Sequence, residues 1–312
     1  MVLQPNEMDF SSKKFSMIIC GSPGIGKTTL ALSAPTPILI DFDDGISRVK
    51  AKHRKPTISI SKYEELQEDM KSQAFKDAET VVIDTGGSFI TYLQDWAMRD
   101  NPTQNKKKSG GISMQGFGAV KNEFVNFTNN LKALYDKNII YIFHTVEEKS
   151  KDDVKQRIMC EGAARNIVWQ PCDLGCYLHI QNGERYMGFS PTEEYFAKGC
   201  YGIAGLVKVP ELGEDTPNTI LTELFEQARK NIKEENKIFE AEKETYDAAI
   251  KAGADIVDSV TDAETALAAL QKIKGIQHSL TSQREIKAMF TAKTKDLNLK
   301  WDKAVGGYVP AN

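Results

Sequence analysis

Nine consecutive residues carry the most specific chemistry in the chain. Gly21-Ser22-Pro23-Gly24-Ile25-Gly26-Lys27-Thr28 fits G-x-x-x-x-G-K-[ST], and Thr29 follows it. Glycines let backbone N–H groups curl around phosphate oxygens, where side chains would block the approach. A helix opening at Lys27 adds partial positive charge at its N-terminus. The lysine reaches the terminal phosphates, and the Thr28 hydroxyl reaches Mg²⁺. Gly21 to Thr29 are therefore the candidate nucleotide-binding residues, with ATP and Mg²⁺ as the expected ligands, and Lys27 is also a candidate catalytic residue.

Such a loop needs a carboxylate for the metal. Val81-Val82-Ile83-Asp84 is an apolar strand ending in an acid, so Asp84 joins Thr28 as candidate metal ligand. AAA-type ATPases usually place a glutamate directly after this aspartate. Here the next residue is Thr85, so a group to orient the attacking water must come from elsewhere. Ile38-Leu39-Ile40-Asp41-Phe42-Asp43-Asp44-Gly45 supplies it, as the next apolar strand and one ending in carboxylates. Asp43 is the candidate and Asp44 the fallback. His144 ends a further apolar strand, and a neutral imidazole there can donate one hydrogen bond to a phosphate oxygen.

The elements that hold these residues are strands alternating with helices. Phe15–Cys20, Ile38–Phe42, Thr57–Ile60, Thr80–Asp84 and Ile139–His144 are short β-branched or aromatic runs. Helical patterns lie between them at Tyr63–Phe75, Phe89–Met98 and Val120–Tyr135. Alternation of this kind predicts an α/β fold with a mostly parallel sheet covered on both faces. Asn182-Gly183, between Cys176–Gln181 and Glu184–Phe189, predicts a hairpin that extends the sheet. Residues 13–210 read as this core, 211–220 as a linker, and 221–312 as a C-terminal helical appendage of about three helices. Thr261-Asp262-Ala263-Glu264 and Ser282-Gln283-Arg284-Glu285 look like capping boxes in it. Its charge is split: residues 221–264 hold 6 basic and 12 acidic side chains, residues 272–303 hold 8 basic and 3 acidic.

With the loop, the I-L-I-D-F-D-D-G strand end, V-V-I-D-T and I-F-H-T together, the sequence resembles the RecA-like P-loop ATPases. More narrowly it resembles the phage-encoded, AAA-type nucleotide-binding group, some of which act in single-strand annealing and recombination. The resemblance spans about residues 14–210. It implies a RecA-like P-loop core, a Mg²⁺-dependent ATPase, single-stranded DNA as partner, a homo-oligomer, and contacts to single-strand-binding or replication proteins. In RecA the strand after the P-loop helix carries a catalytic glutamate in F-I-D-A-E. Asp43 stands at that position here, about 1.5 Å shorter in reach. The resemblance also places DNA on the loops after the Asp84 and His144 strands. Asn101–Lys121 contains Lys106, Lys107, Lys108 and Lys121 without an acid, and Phe117 for stacking. Thr145–Arg165 has mixed charge. Lys198 and Arg165 are candidates for a basic finger given in trans to a neighbouring subunit. Two other readings share the same loop: a P-loop DNA motor or helicase loader, and a nucleotide-gated module that docks replication proteins through 221–312.

Composition sets the outer bounds. The chain has 312 residues, 41% of them hydrophobic, enough for a sizeable core. With 40 basic and 43 acidic side chains it has no whole-molecule basic field, so nucleic acid would have to meet local patches. No run approaches the roughly 18 apolar residues of a membrane span. A polar, acidic Met1–Ser12 predicts no secretory leader. Five cysteines without a disulfide spacing fit a reducing cytoplasm, that of the bacterial host for a phage protein. Cys172, Cys176 and His179 do not form a standard zinc spacing, and buried reduced thiols are expected instead.

Overall fold

The computed structural model describes residues 10, 12–150, 153–160 and 167–311. Strand β1 (Ser16–Gly21) is buried along its whole length. It lies between two parallel neighbours, β5 (Asn138–Ser150) and β7 (Leu174–Gln181). On the far side of β5 stand β4 (Thr80–Asp84), β2 (Pro37–Asp41) and β3 (Thr57–Ser59), all parallel. Beyond β7 the sheet turns antiparallel through β8 (Glu184–Gly188) and β9 (Leu206–Val209). The order is therefore β3-β2-β4-β5-β1-β7-β8-β9, with β5 wedged between the phosphate-loop strand and the strand that ends in Asp84.

Register brings the site residues to one edge. Gly21 lies beside His144, Asp84 beside Ile142, and Asp41 beside Asp84. Both faces of the sheet are covered, which explains strands that are apolar at every position. One face packs on helices α4 (Gly86–Asp100) and α6 (Met114–Ala133), where Phe89 meets Phe42, Tyr63, Phe124, Phe127 and Tyr141. On the other face Phe15 stacks on Phe225, from the first turns of the long helix α7 (Ile220–Asp258). Here α7 denotes the next long helix after β9; the short helices α1 (Lys27–Ala31), α2 (Leu66–Asp69), α3 (Gln73–Asp77) and α5 (Pro102–Asn105) complete the series before it.

Gly86, first residue of α4, sits where a Cβ would lie 2.3 Å from the Phe143 ring, so the helix can approach β5 only without a side chain there. At the other end of β1, Asp173 gathers the Ser16 amide and hydroxyl, the amines of Lys13 and Lys132, and the Tyr201 hydroxyl. Burial alone would raise this carboxyl. The Ser16 amide and the two amines outweigh it and hold the group down at about 2.

Several sequence expectations change in detail. The His144 strand does not stop at His144. It runs on to Ser150 and folds back as β6 (Asp153–Ile158), so most of the expected 145–165 loop is an antiparallel ribbon. The polar stretch Thr145–Ser150 carries no apolar alternation because the ribbon has little core to face. Asn101–Lys121 is likewise not one long loop. It contains α5, a tight turn closed by the Lys106–Ile112 bridge, and the first two turns of α6. Tyr63–Phe75 is broken into a 3-10 turn and two short helices.

Residues Phe10–Asn231 form one compact unit and Ile232–Asn312 fall in a second, the division lying inside α7. The Pro210–Asn218 stretch has neither helix nor strand and is tied to the core where Asn218 donates to the Thr29 carbonyl. The second unit holds the rest of α7 with α8 (Ala263–Lys274) and α9 (Ser282–Asp296) around Val257, Val260, Ala266, Ala269 and Phe290. It also holds a hairpin, β10 (Leu299–Asp302) with β11 (Gly307–Pro310), that the helical reading did not include. Both capping boxes shift: Asp262 caps α8 with Thr265 as its reciprocal partner, and α9 starts after Thr281 without a side-chain cap on its amides. Among the described residues no helix is long and apolar enough to cross a membrane.

Candidate functional site

Strand β1 ends at Gly21 and the chain wraps through Gly24 and Gly26, both with positive φ, into α1. Gly26 is the residue before the helix, at φ 98°, a conformation side chains rarely adopt. No side chain caps α1, so its first N–H groups keep their capacity for an anion. They border a cavity of about 400 Å³ lined by Gly24, Lys27, Thr28, Asp43, Asp84 and His144, among others.

Two contacts organise this cavity. The Lys27 amine donates to the carbonyls of Gly21 at 3.0 Å and Ser22 at 2.8 Å, and lies 3.1 Å from His144 Nδ1. Thr28 Oγ1 donates to Asp84 Oδ2 at 2.5 Å. Burial pushes the Lys27 amine down to about 8, against the pull of Asp84. Burial also pushes Asp84 up to about 6, against the hydrogen bond from Thr28. His144 is lowered by burial and then by Lys27, so its imidazole is neutral, with Nδ1 accepting and Nε2 free to donate.

A buried lysine whose hydrogen-bond partners are neutral fits a site made for an anion. Thr28 and Asp84 fit Mg²⁺, which takes one or two protein oxygens and leaves its other positions to phosphate and water. Among the described residues no cluster of three His, Cys, Asp or Glu side chains forms an all-protein cage, and the cysteines are free thiols, four of them buried.

Asp43 and Asp44 are separated by the turn they share. Asp41, which sequence reading passed over, accepts the amides of Asp43 (3.2 Å) and Gly45 (2.9 Å) on one oxygen and Ile46 (2.8 Å) on the other. This folds the strand end so that Asp43 lines the cavity, while Asp44 is exposed with φ 52°. Arg48 and Thr85 also line it. Thr85 accepts the Ser88 amide and so opens α4 from the position where a glutamate was absent. An Asp two residues before the candidate base was the one available signal for Asp41. Arg48 had none.

The other candidates lie away from this cavity. Lys106, Lys107 and Lys108 are exposed on the turn after α5. Phe117 and Lys121 sit on α6 and line a separate, mostly apolar cavity of about 390 Å³. Lys198 donates to the Cys172 carbonyl and lines a third cavity with Arg157, Trp169 and Phe196. Arg165 lies outside the described residues.

Compared with known families, residues 13–201 match the model of an AAA domain, more than half of the chain. A search of curated proteins finds no significant match. Among solved structures the chain is similar to a KaiC-like protein from the hyperthermophilic archaeon Pyrococcus horikoshii. The identity is 13% over 63% of this chain and 89% of that one, with a TM-score of 0.35, too loose a superposition to bear on function. The phosphate loop, the sheet that carries it and the family match agree: the chain belongs to the AAA domain family, with a RecA-like P-loop NTPase core.

Proposed function

We propose that the protein is a Mg²⁺-dependent ATPase that acts on single-stranded DNA in phage-type recombination, annealing or replication. The observation that carries the hydrolytic part is the joint contact of Lys27 with His144 and of Thr28 with Asp84 at the mouth of one loop. Lys27 holds the terminal phosphates, Thr28 and Asp84 hold the metal, and Asp43 accepts a hydrogen bond from the attacking water. The water oxygen bonds to the γ-phosphorus as the bond to the β-phosphate oxygen breaks. That oxygen leaves with the electron pair on ADP, and the water proton ends on phosphate. Bound Mg²⁺ supplies charge neutralisation across the terminal phosphates.

Support for the DNA part comes from two surfaces. Lys106, Lys107 and Lys108 form an exposed basic turn. The β5–β6 ribbon grows directly from His144, and the Met159 amide closes back onto the His144 carbonyl at 2.7 Å. Nucleotide state would therefore reach the ribbon through one residue. A gated docking module is the second reading, favoured by a separate unit at Ile232–Asn312 that contributes none of the site residues. The test is the rate of phosphate release with and without single-stranded DNA. Stimulation is the expected result. Turnover indifferent to DNA would move the assignment to the docking module, and no uptake of nucleotide with magnesium would end both.

A further inference from the structure

We propose that Arg48 is the cationic finger of this site, supplied by the same chain rather than by a neighbour. The proposal rests on the ATPase reading above and adds a catalytic residue to it. The sequence offered Lys198 and Arg165 for this role in trans. Lys198 is committed to the Cys172 carbonyl, in a cavity of its own. Arg48 lines the nucleotide cavity together with Asp43, Asp84 and His144, on the side of the loop where the metal and the terminal phosphate are read.

Three observations converge on Arg48. Its guanidinium makes no hydrogen bond or ion pair with any carboxylate among the described residues, although acids lie close by. It folds back over its own turn, with one terminal nitrogen 2.9 Å from where a Gly45 Cβ would stand, so a side chain at residue 45 would displace it. The turn itself is braced from both sides. Asp41 takes three of its amides from within. Arg54 donates to the Ser47 and Val49 carbonyls, each at 2.9 Å, from without. A rigid turn that aims an unpaired guanidinium is what preorganised stabilisation of a charged transition state requires.

Charge balance points the same way. The cavity lining carries two carboxylates, Asp43 and Asp84, and two cations, Lys27 and Arg48. Without Arg48 the lining would be net negative, and a polyphosphate would enter against it. In the hydrolysis step Arg48 neither gains nor loses a proton. Its N–H groups donate to the γ-phosphoryl oxygens as the bond to ADP breaks, where charge is greatest.

The experiment compares wild type, Arg48→Ala, Arg48→Lys and Lys27→Ala. Arg48→Ala should lower kcat by roughly a hundredfold or more, with KM little changed and Arg48→Lys recovering part of the rate. Fluorescent ADP should bind Arg48→Ala as it binds wild type. The extra thermal stabilisation that magnesium, ADP and aluminium fluoride give wild type should be lost. Mixing Arg48→Ala with Lys27→Ala chains should restore nothing, because the finger and the loop must share a chain. Recovery on mixing would overturn the assignment to the same chain, and wild-type turnover by Arg48→Ala would overturn the finger itself. A wild-type protein without turnover would overturn the ATPase reading and this proposal together, a result the variants alone could not produce.

Discussion

At the residue scale, the unusual feature is a lysine that is only 4% exposed, with two carbonyls and an imidazole as its partners. An ammonium group so placed is stabilised far more by a polyphosphate than by the protein around it. Lys27→Ala should therefore abolish turnover and weaken nucleotide uptake, as read by titration with a fluorescent ATP analogue. Asp43→Asn should bind ATP like wild type yet release phosphate roughly 10²–10⁴-fold more slowly; normal hydrolysis would disqualify Asp43 as the group that orients water. Lys27, Thr28 and Asp84 could be read in the sequence because their spacing is enforced by a short loop and one strand. Arg48 and Asp41 could not. One owes its place to a turn folded by the other, and a single arginine seven residues past an aspartate has no pattern to mark it.

At the scale of elements, the sheet is fastened at the end remote from the phosphate loop by Asp173. Its carboxyl sits at about 2, below its usual value of about 3.9. The group therefore adds stability above pH 4 and gives it up as the pH falls through 2. Asp173→Asn should cost about 2 kcal/mol at pH 7 and little near pH 2, measured by urea unfolding. Gly86→Ala should cost about 1–3 kcal/mol, since its methyl group meets the Phe143 ring and α4 must shift from β5. Phosphate release by that variant should fall too, because α4 starts beside Asp84 and Thr85. The parallel strands were legible from continuous apolar runs, each buried on two faces. The ribbon, β9 and the β10–β11 hairpin were not, since they are short or polar and lie where the burial signal fades.

For the whole molecule, a formal charge of −3 leaves any nucleic-acid binding to local groups. If Lys106, Lys107 and Lys108 all touch phosphate, replacing them with Gln should reduce the log–log salt slope of single-strand binding by about 2. An unchanged slope would take that turn out of the DNA surface and leave the ribbon as the remaining contact. Strand order across the core followed from the β–α alternation. The place where the chain divides did not, because α7 keeps one helical periodicity through Asn231 and Ile232 and nothing in its local pattern marks a seam.

Strand β5 spans thirteen residues without a break, bedded in the sheet at one end and free of it at the other. A rod of that kind has no slack. Whatever clasps its outer tip leans on the imidazole next to Lys27, and whatever fills the loop leans outward on the tip. By linkage the two effects must be equal in size, so a polymer that tightens the hold on nucleotide tenfold has its own hold tightened tenfold in return.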